Sequence, residues 1–200
     1  MSPAKPITTF TVDQYLAMER AADERHEYLD GEVFAMAGEA TPYGFISTNL
    51  VISLGTQLKK SPCGVLTKDT KVRSGPSPRG LNSRKGLYSY PDVIVVFGEP
   101  EYHDAEKDVI LNPKVIIEVL SPSTEAFDRG EKSNRYQSWN DSLTDYLLVA
   151  QDQMLVEHYS RQPKGAWLLR RYEGRKAVVP IPSIGCKLKL VDVYDRIKFK

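Results

Sequence analysis

Residues 91–120 have the sequence PDVIVVFGEPEYHDAEKDVILNPKVIIEVL and contain two apolar runs, at 93–97 and 115–120. Runs this continuous are typical of central strands that are covered on both faces. One acid accompanies each run, because Asp92 stands directly before the first and Glu118 interrupts the second. An ionised carboxylate between two covered faces is costly unless it takes a proton, pairs with a cation or binds a metal. The two acids therefore predict one shared site on two central strands.

Local signals before this stretch predict two helices and a hairpin. A capping-box spacing at residues 11–14 predicts a first helix that begins near Val12. Asp30-Gly31 favours the two-residue turn of a β-hairpin. Apolar residues recur every four positions between residues 43 and 60, which predicts a second, longer helix.

The remaining segments predict more strands, one loop and one further helix. Residues 64–73 are expected to form a strand and residues 74–89 a long basic loop. A second capping-box spacing, at residues 128–131, predicts a third helix that carries Lys132 and Tyr136. The last predicted elements are strands at 145–150, 154–160 and 166–172 and a short terminal helix at 191–197. Helices and strands mixed in this way predict an α/β fold.

The composition is that of an ordinary globular protein, and we expect one domain over residues 1–200. Hydrophobic residues make up 41% of the chain and charged residues 26%, which argues against disorder. No apolar run approaches the length of a bilayer span, and the N-terminus lacks the apolar core of a secretory signal. The only cysteines, Cys63 and Cys186, fit a reducing compartment. We therefore expect a cytoplasmic protein with no membrane partner.

The net charge of +1 conceals an uneven distribution along the chain. Residues 1–40 carry a local charge of −5 and residues 59–90 a local charge of +7. The basic stretch could contact nucleic-acid phosphates. The alternative is that these side chains simply solvate a helix end and a loop. The candidate nucleic-acid-binding residues are Lys59, Lys60, Arg79, Arg84 and Lys85.

Each candidate site residue also has a purely structural interpretation. Asp92 and Glu118 could form buried ion pairs with Arg or Lys from a neighbouring helix in place of binding a metal. Lys132 could be an exposed helical lysine that pairs with Asp128 at i,i+4. Glu27, just before the hairpin turn, could be a solvent-facing strand residue.

Several motifs together resemble one nuclease family. They are Glu27 within HEYLDGE at 26–32, Pro91-Asp92-Val93, EVLSPST at 118–124, and then Asp128, Lys132 and Tyr136. With these motifs the chain resembles the Uma-type restriction endonucleases, a branch of the PD-(D/E)XK nuclease superfamily. The resemblance runs from about Val12 to Tyr172, and its most specific part is the EVLSPST block with Asp128 and Lys132 behind it.

The resemblance implies a restriction-endonuclease-like fold, with a mixed central β-sheet flanked by helices. It also implies that Asp92 and Glu118 hold Mg²⁺ or Mn²⁺, with the backbone carbonyl of Val119 as a further ligand. Glu27 would complete the acidic cluster. Lys132 would position the attacking water or stabilise the charge of the transition state.

Two positions depart from the family pattern. The usual superfamily lysine, two residues after the second acid, is Leu120 here, so activity requires Lys132 to supply the cation from the helix. The helix after the hairpin usually opens with a histidine, and the aligned residue here is Tyr43, a poor base at neutral pH.

The leading hypothesis is therefore a metal-dependent endonuclease that hydrolyses phosphodiester bonds of DNA. One alternative is a nucleic-acid-binding module that has lost catalysis, which would bind DNA without cleaving it. Another is a structural oligomer, in which the acids form buried ion pairs and replacing Asp92 unfolds the protein. By analogy with nucleases that cut two strands, we expect a homodimer.

Overall fold

The chain alternates short helices with strands, and it is described here from a computed structural model that covers residues 9–36, 38, 40–77 and 82–199. In chain order the strands are β1 (His26–Leu29), β2 (Glu32–Ala35), β3 (Cys63–Thr67), β4 (Lys71–Ser74), β5 (Leu87–Ser89), β6 (Val93–Phe97), β7 (Val109–Ile110), β8 (Pro113–Val119), β9 (Asp145–Val149), β10 (Leu155–Arg161), β11 (Trp167–Glu173), β12 (Val178–Ile181) and β13 (Cys186–Lys189). The α-helices are α1 (Val12–Ala21), α2 (Thr41–Gln57), α3 (Glu125–Phe127), α4 (Ser133–Trp139) and α5 (Leu190–Val193).

Two mixed sheets and one two-stranded ribbon make up the β-structure of the described residues. The first sheet has the order β2-β1-β5-β4-β7, and only its β4–β7 pair is parallel. The second has the order β11-β10-β9-β8-β6-β3, and only its β8–β9 pair is parallel. Strands β12 and β13 form the ribbon. Mixed sheets flanked by helices confirm the predicted fold class.

The N-terminal helix and hairpin form where the sequence predicted them. Thr11 caps α1, because its hydroxyl accepts from the backbone N–H of Gln14 while the Gln14 side chain accepts from the N–H of Thr11. The hairpin turn places Asp30 at φ 48° and Gly31 at φ 105°, the positive values that this tight turn requires. Arg135 of α4 holds the turn in place through an ion pair of 2.8 Å between its Nη2 and Asp30 Oδ2.

Strands β6 and β8 lie side by side in the second sheet, and both are covered on both faces as predicted. One face packs against α2 through Ile46, Leu50 and Leu54, together with Leu58 just beyond the helix. The other face carries Ile94 and Ile116 and packs against Tyr136 of α4. Glu118 projects from this second face, so its carboxylate lies between two layers of the fold.

The predictions for residues 64–89 are partly wrong. A polar turn at residues 68–70 divides the predicted strand into β3 and β4, and these join different sheets. The end of the predicted loop is strand β5, which pairs with β1 and β4. A three-residue strand is too short to show the alternation that identifies strands in a sequence. The connection is therefore 75–86, and Arg79 within it lies outside the described residues.

The third helix begins earlier than predicted. Residue 125 already starts α3, and a five-residue π-helical turn over Asp128–Lys132 joins it to α4. Asp128 has helical dihedral angles (φ −64°, ψ −41°), so it does not cap a helix. The chain turns instead at Ser121, whose hydroxyl accepts from the backbone N–H of Thr124 at 3.3 Å. The capping-box spacing at residues 128–131 therefore predicted the wrong start for this helix.

The two ends of the 75–86 connection touch at a pair of glycines. A Cβ atom on Gly75 would lie 2.6 Å from the Cα of Gly86, and Gly75 has φ +152°. We expect Gly75→Ala to lower the free energy of unfolding by about 1–3 kcal/mol, because the added carbon overpacks a backbone contact. Urea denaturation measures the change.

In the control Gly55→Ala, the new methyl group meets no atom within 4 Å, and helix propensity should leave α2 unchanged or stabilised by about 1 kcal/mol. Equal effects of the two substitutions would contradict the close contact.

Within the described residues, no helix combines the length and the apolar character needed to cross a membrane.

Candidate active site

Three predicted acids meet where the chain passes from the first sheet to the second. Asp92 follows β5 by three residues and directly precedes β6. In the β6–β8 register Val93 is opposite Ile117, so one further step places Asp92 opposite Glu118. Directly opposed residues point to the same face of an antiparallel pair. Glu27 comes from β1, and its Oε1 accepts from the backbone N–H of Tyr90 at 3.1 Å.

The Asp92 carboxylate is buried and held by two donors. The Tyr43 hydroxyl donates to Oδ1 at 2.5 Å, and the Val119 backbone N–H donates to Oδ2 at 2.7 Å. Tyr43 lies in the first turn of α2, at the position where the family pattern has histidine. The phenol therefore fixes the orientation of the first predicted metal ligand.

Lys132 brings the acids together. Its Nζ lies 3.0 Å from Glu27 Oε1, 3.2 Å from Asp128 Oδ1 and 3.4 Å from Glu118 Oε1. The residue is 5% exposed, so the interpretation as an exposed helical lysine is wrong. The i,i+4 pair with Asp128 exists, but it is one of three. Glu118 therefore has the buried ion pair with a lysine from a neighbouring helix that was the structural alternative to a metal site.

A chain of hydroxyl groups reaches Glu118 from the first sheet. The Tyr136 hydroxyl donates to Glu118 Oε1 at 3.1 Å. It lies 2.7 Å from Ser89 Oγ of β5, and since its one proton goes to Glu118, Ser89 is the donor in that contact. Ser89, Tyr136 and Glu118 are all buried. The second predicted ligand is therefore positioned as firmly as the first.

Asp128 is a site residue that reasoning from individual residues missed. It is 2% exposed, and its Oδ1 lies close to the Lys132 ammonium without a hydrogen bond of good geometry. The π-helical turn positions both Asp128 and Lys132, and π-helical turns are frequent at functional sites. Gly130 in the middle of the turn, a poor helix former, was the sequence signal for an irregular helix here.

The charges in this cluster strongly affect one another. Burial raises the pKa of Glu118 well above its usual range; Lys132 opposes the shift, while Asp128, Asp92 and Glu27 add to it. Burial also raises the pKa of Asp128, again against the effect of Lys132. Burial alone would lower the pKa of Lys132, but Glu118 and Glu27 raise it above the usual range, so the ammonium stays charged at neutral pH. Three acids thus surround one cation, and Asp92 stands beside Glu118, so the site has a surplus of acidic groups over cations.

This surplus predicts a pH-dependent effect of Glu118→Gln in EDTA. Because the folded protein keeps the Glu118 proton above pH 4.5 while the unfolded chain releases it, wild-type stability falls as pH rises from about 4.5. Glutamine removes this titration. We expect the variant to gain stability relative to wild type between pH 4.5 and pH 8, by at most about 1.4 kcal/mol per pH unit. Thermal unfolding across this range tests the prediction, with the exposed residue of Glu173→Gln as control. A constant difference between Glu118→Gln and wild type would contradict it.

The donor chemistry of the site fits a hard divalent cation. Across the described residues, no group of three or more His, Cys, Asp or Glu side chains lies together as a preformed metal site. Mg²⁺, however, is commonly held by one or two carboxylates while keeping several waters. Asp92 and Glu118 supply two such carboxylates, and Val119, whose backbone N–H donates to Asp92, lines the cavity together with Glu118. A bound cation would favour the ionised forms of these surplus acids and neutralise their charge.

The cluster opens into a cavity of about 640 Å³. Glu27, Glu118, Asp128 and Lys132 line one side of it. Ser121, Ser123 and Thr124 contribute hydroxyl groups, and the remaining wall is largely apolar. The site is therefore accessible to a ligand of the size of a nucleotide.

The predicted basic contacts lie at different distances from this cavity. Lys59 and Lys60 are exposed beyond the C-terminal end of α2, about 24 Å along the helix from Tyr43. Arg84 and Lys85 are exposed just before β5. Lys85 Nζ lies 3.4 Å from Asp30 Oδ2, and Asp30 follows Glu27 by about 10 Å of strand. Of these four residues, Arg84 and Lys85 are nearer to the acids.

Comparison with known proteins agrees with the motifs. Residues 12–190 match the model of the Uma2 family, described as "Putative restriction endonuclease". The uncharacterized protein slr1290 of Synechocystis sp. is 31% identical over 198 residues, covering 99% of this chain and 98% of that protein. The uncharacterized protein sll1609 of the same organism is 30% identical over 169 residues, covering 84% and 90%. A crystal structure titled "a putative nuclease belonging to DUF820", from Anabaena variabilis, has a TM-score of 0.72 at 16% identity and covers 92% of this chain and 97% of that chain.

Proposed function

The chain belongs to the Uma2 restriction endonuclease family, and we propose that it is a divalent-metal-dependent endonuclease that hydrolyses phosphodiester bonds of DNA. The observation that carries the proposal is the largely buried cluster of Asp92, Glu118, Glu27 and Lys132, the last three of which line a cavity. A purely structural ion-pair cluster would be expected to balance its charges, since unpaired buried charge is costly. This cluster has more acids than cations.

In this proposal Asp92, Glu118 and the Val119 carbonyl hold Mg²⁺ or Mn²⁺. When bound, the metal lowers the pKa of a water molecule and neutralises charge that builds on the phosphate. The Lys132 ammonium stands 3.4 Å from Glu118 Oε1, where it can stabilise a developing negative charge or orient the attacking water. In this proposal Lys132 does the work of the superfamily lysine whose usual position is occupied by Leu120 in this chain.

The surrounding residues keep these groups in position. Glu27 and Asp128 hold the Lys132 ammonium from two further directions. Tyr43 donates a hydrogen bond to Asp92 and Tyr136 donates one to Glu118, and these bonds restrict the rotation of the two carboxylates. In this scheme Tyr43 acts as a hydrogen-bond donor and not as a base, so the missing histidine does not prevent catalysis.

Arg84 and Lys85 are the proposed contacts to the phosphates that flank the cleaved bond. Both are exposed, and the Lys85 ion pair with Asp30 places it on the hairpin that carries Glu27. Lys59 and Lys60 would contact nucleic acid only at a distance from the site. Arg79 stays a sequence prediction, because it lies outside the described residues.

A homodimer is the proposed assembly. Strand β11 lies at an edge of the second sheet and exposes Leu168 and Leu169, and an edge strand of seven residues is a natural place for strand pairing. Light scattering coupled to gel filtration is expected to give twice the 22.5 kDa chain mass. A monomer at micromolar concentration would contradict this part of the proposal.

Cleavage assays on end-labelled DNA and RNA test the function itself. Purified protein is expected to cut DNA with Mg²⁺ or Mn²⁺ and to stop in EDTA. Gel-shift measurements on the same samples separate the alternatives. DNA binding without cleavage in any metal would identify an inactive binding module, and neither binding nor cleavage would favour the structural oligomer.

A further inference from the structure

The cavity beside the acids has an apolar wall that metal-dependent hydrolysis does not explain. Leu29, Phe34, Met36 and Phe127 line it next to the charged cluster. Phe34 is 47% exposed, although the free energy of burying a phenylalanine side chain is favourable. Because Phe34 lines the candidate active site, its exposed ring offers a surface on which a flat ligand group can stack.

The hairpin register fixes the position of Phe34 next to the chemistry. Phe34 of β2 is the antiparallel partner of Glu27 of β1. Directly opposed side chains share one face, with Cβ atoms about 4.5–5.5 Å apart. Glu27 Oε1 in turn lies 3.0 Å from Lys132 Nζ. Only the Glu27 side chain therefore connects Phe34 to Lys132, the residue whose ammonium is proposed to act on the phosphate.

The charge of the cavity disfavours an intact duplex at this place. Of the described residues that line it, Lys132 is the one basic side chain, and it is already surrounded by three carboxylates. A duplex presents phosphates on both strands and needs a basic groove. An unpaired nucleotide presents one phosphate to the metal and a flat base that can stack on an aromatic ring.

Resting on the proposed nuclease function, we infer that the cavity binds an unpaired nucleotide, whose base stacks on Phe34 while its phosphate lies at the acidic cluster. The preferred substrate is then single-stranded DNA, or DNA with a locally unpaired segment. The cavity volume of about 640 Å³ suits one such nucleotide. The hydroxyl-bearing residues Ser121, Ser123 and Thr124 also line the cavity and can hydrogen-bond to the sugar or the base.

Affinity measurements on labelled oligonucleotides test the inference apart from catalysis. Fluorescence anisotropy with Ca²⁺ in place of Mg²⁺ gives the Kd for a single strand, for its duplex and for an abasic strand of equal length. Phe34→Ala is expected to weaken single-strand binding roughly 5- to 150-fold, the loss produced by removing one base–aromatic stack. It should leave binding of the abasic strand unchanged, because that strand has no base to stack.

Two further variants separate stacking from loss of fold. Phe34→Tyr keeps the ring and is expected to bind like wild type. Phe97→Ala removes another exposed aromatic side chain, 56% exposed at the end of β6 remote from Asp92, and should change no Kd. The inference is overturned if Phe34→Ala weakens the abasic strand equally, if the duplex binds as tightly as the single strand, or if no oligonucleotide binds.

The outcome for the proposed function is read separately, from cleavage with Mg²⁺. Metal-dependent cleavage that is equal on single strands and duplexes would support the nuclease and overturn the unpaired-nucleotide site. Base-dependent binding through Phe34 without cleavage would support the site and contradict the nuclease.

Discussion

Lys132→Met is expected to reduce DNA cleavage at least about 100-fold, the usual loss when a group that stabilises transition-state charge is removed. Methionine keeps the apolar stem but leaves Glu27, Glu118 and Asp128 without their shared cation. In EDTA we also expect the free energy of unfolding to fall by about 3–5 kcal/mol, because a buried ion pair loses one partner. Single-turnover cleavage and urea denaturation measure the two effects.

The same variant should respond more strongly to metal than wild type. In Lys132→Met, bound Mn²⁺ is the only cation left to neutralise the acids of the site. Added Mn²⁺ should therefore raise the melting temperature of the variant by more than that of wild type. Lys132→Arg keeps the positive charge and is expected to retain most of the stability. Lys176→Met, at an exposed lysine, is the control. Wild-type cleavage by Lys132→Met would remove Lys132 from the mechanism.

Asp92→Asn is the second substitution with a large expected effect, and its direct consequence is loss of metal affinity. Cleavage should fall about 100-fold or more, because a catalytic metal contributes several kcal/mol and each 1.4 kcal/mol is a factor of ten. Isothermal titration with Mn²⁺ measures the affinity.

The structural effect of Asp92→Asn should be modest by comparison. Asparagine keeps one acceptor for Tyr43 and Val119, and leaving the other donor unpaired costs about 1–3 kcal/mol. Asp141→Asn, at an exposed position, controls for the loss of one negative charge. If Asp92→Asn binds Mn²⁺ like wild type, Asp92 is not a metal ligand. If it fails to fold, the structural-oligomer interpretation gains support.

The two strands at the centre of the site could be predicted from their own composition. Continuous apolar runs identify strands covered on both faces, and an acid within such a run is costly enough to require a partner. The antiparallel register then places Asp92 beside Glu118. Lys132 could also be expected near Glu118, because the helix that carries it follows the Glu118 strand directly.

The remainder of the site depends on contacts that local patterns do not encode. Glu27 meets Lys132 because the first sheet folds against the end of the second, and its place in the cluster was implied only by the family resemblance. The π-helical turn is one irregular turn inside a helix, so Asp128 was interpreted as a cap when it is a buried member of the cluster. Likewise, Tyr43 was visible in the sequence as a departure from the family pattern, whereas its hydrogen bond to Asp92 depends on how α2 packs on the second sheet.

Nicking of supercoiled plasmid by wild type and Asp92→Asn, at equal concentrations of protein shown to be folded by circular dichroism, tests the central claim most directly. Negative supercoiling favours locally unpaired segments, so this substrate also serves a site that binds unpaired nucleotides. The account predicts that wild type converts the plasmid to open-circular product in Mg²⁺ or Mn²⁺, that EDTA stops the reaction, and that Asp92→Asn leaves the plasmid intact. Equal nicking by both proteins, or none by wild type in either metal, would contradict it.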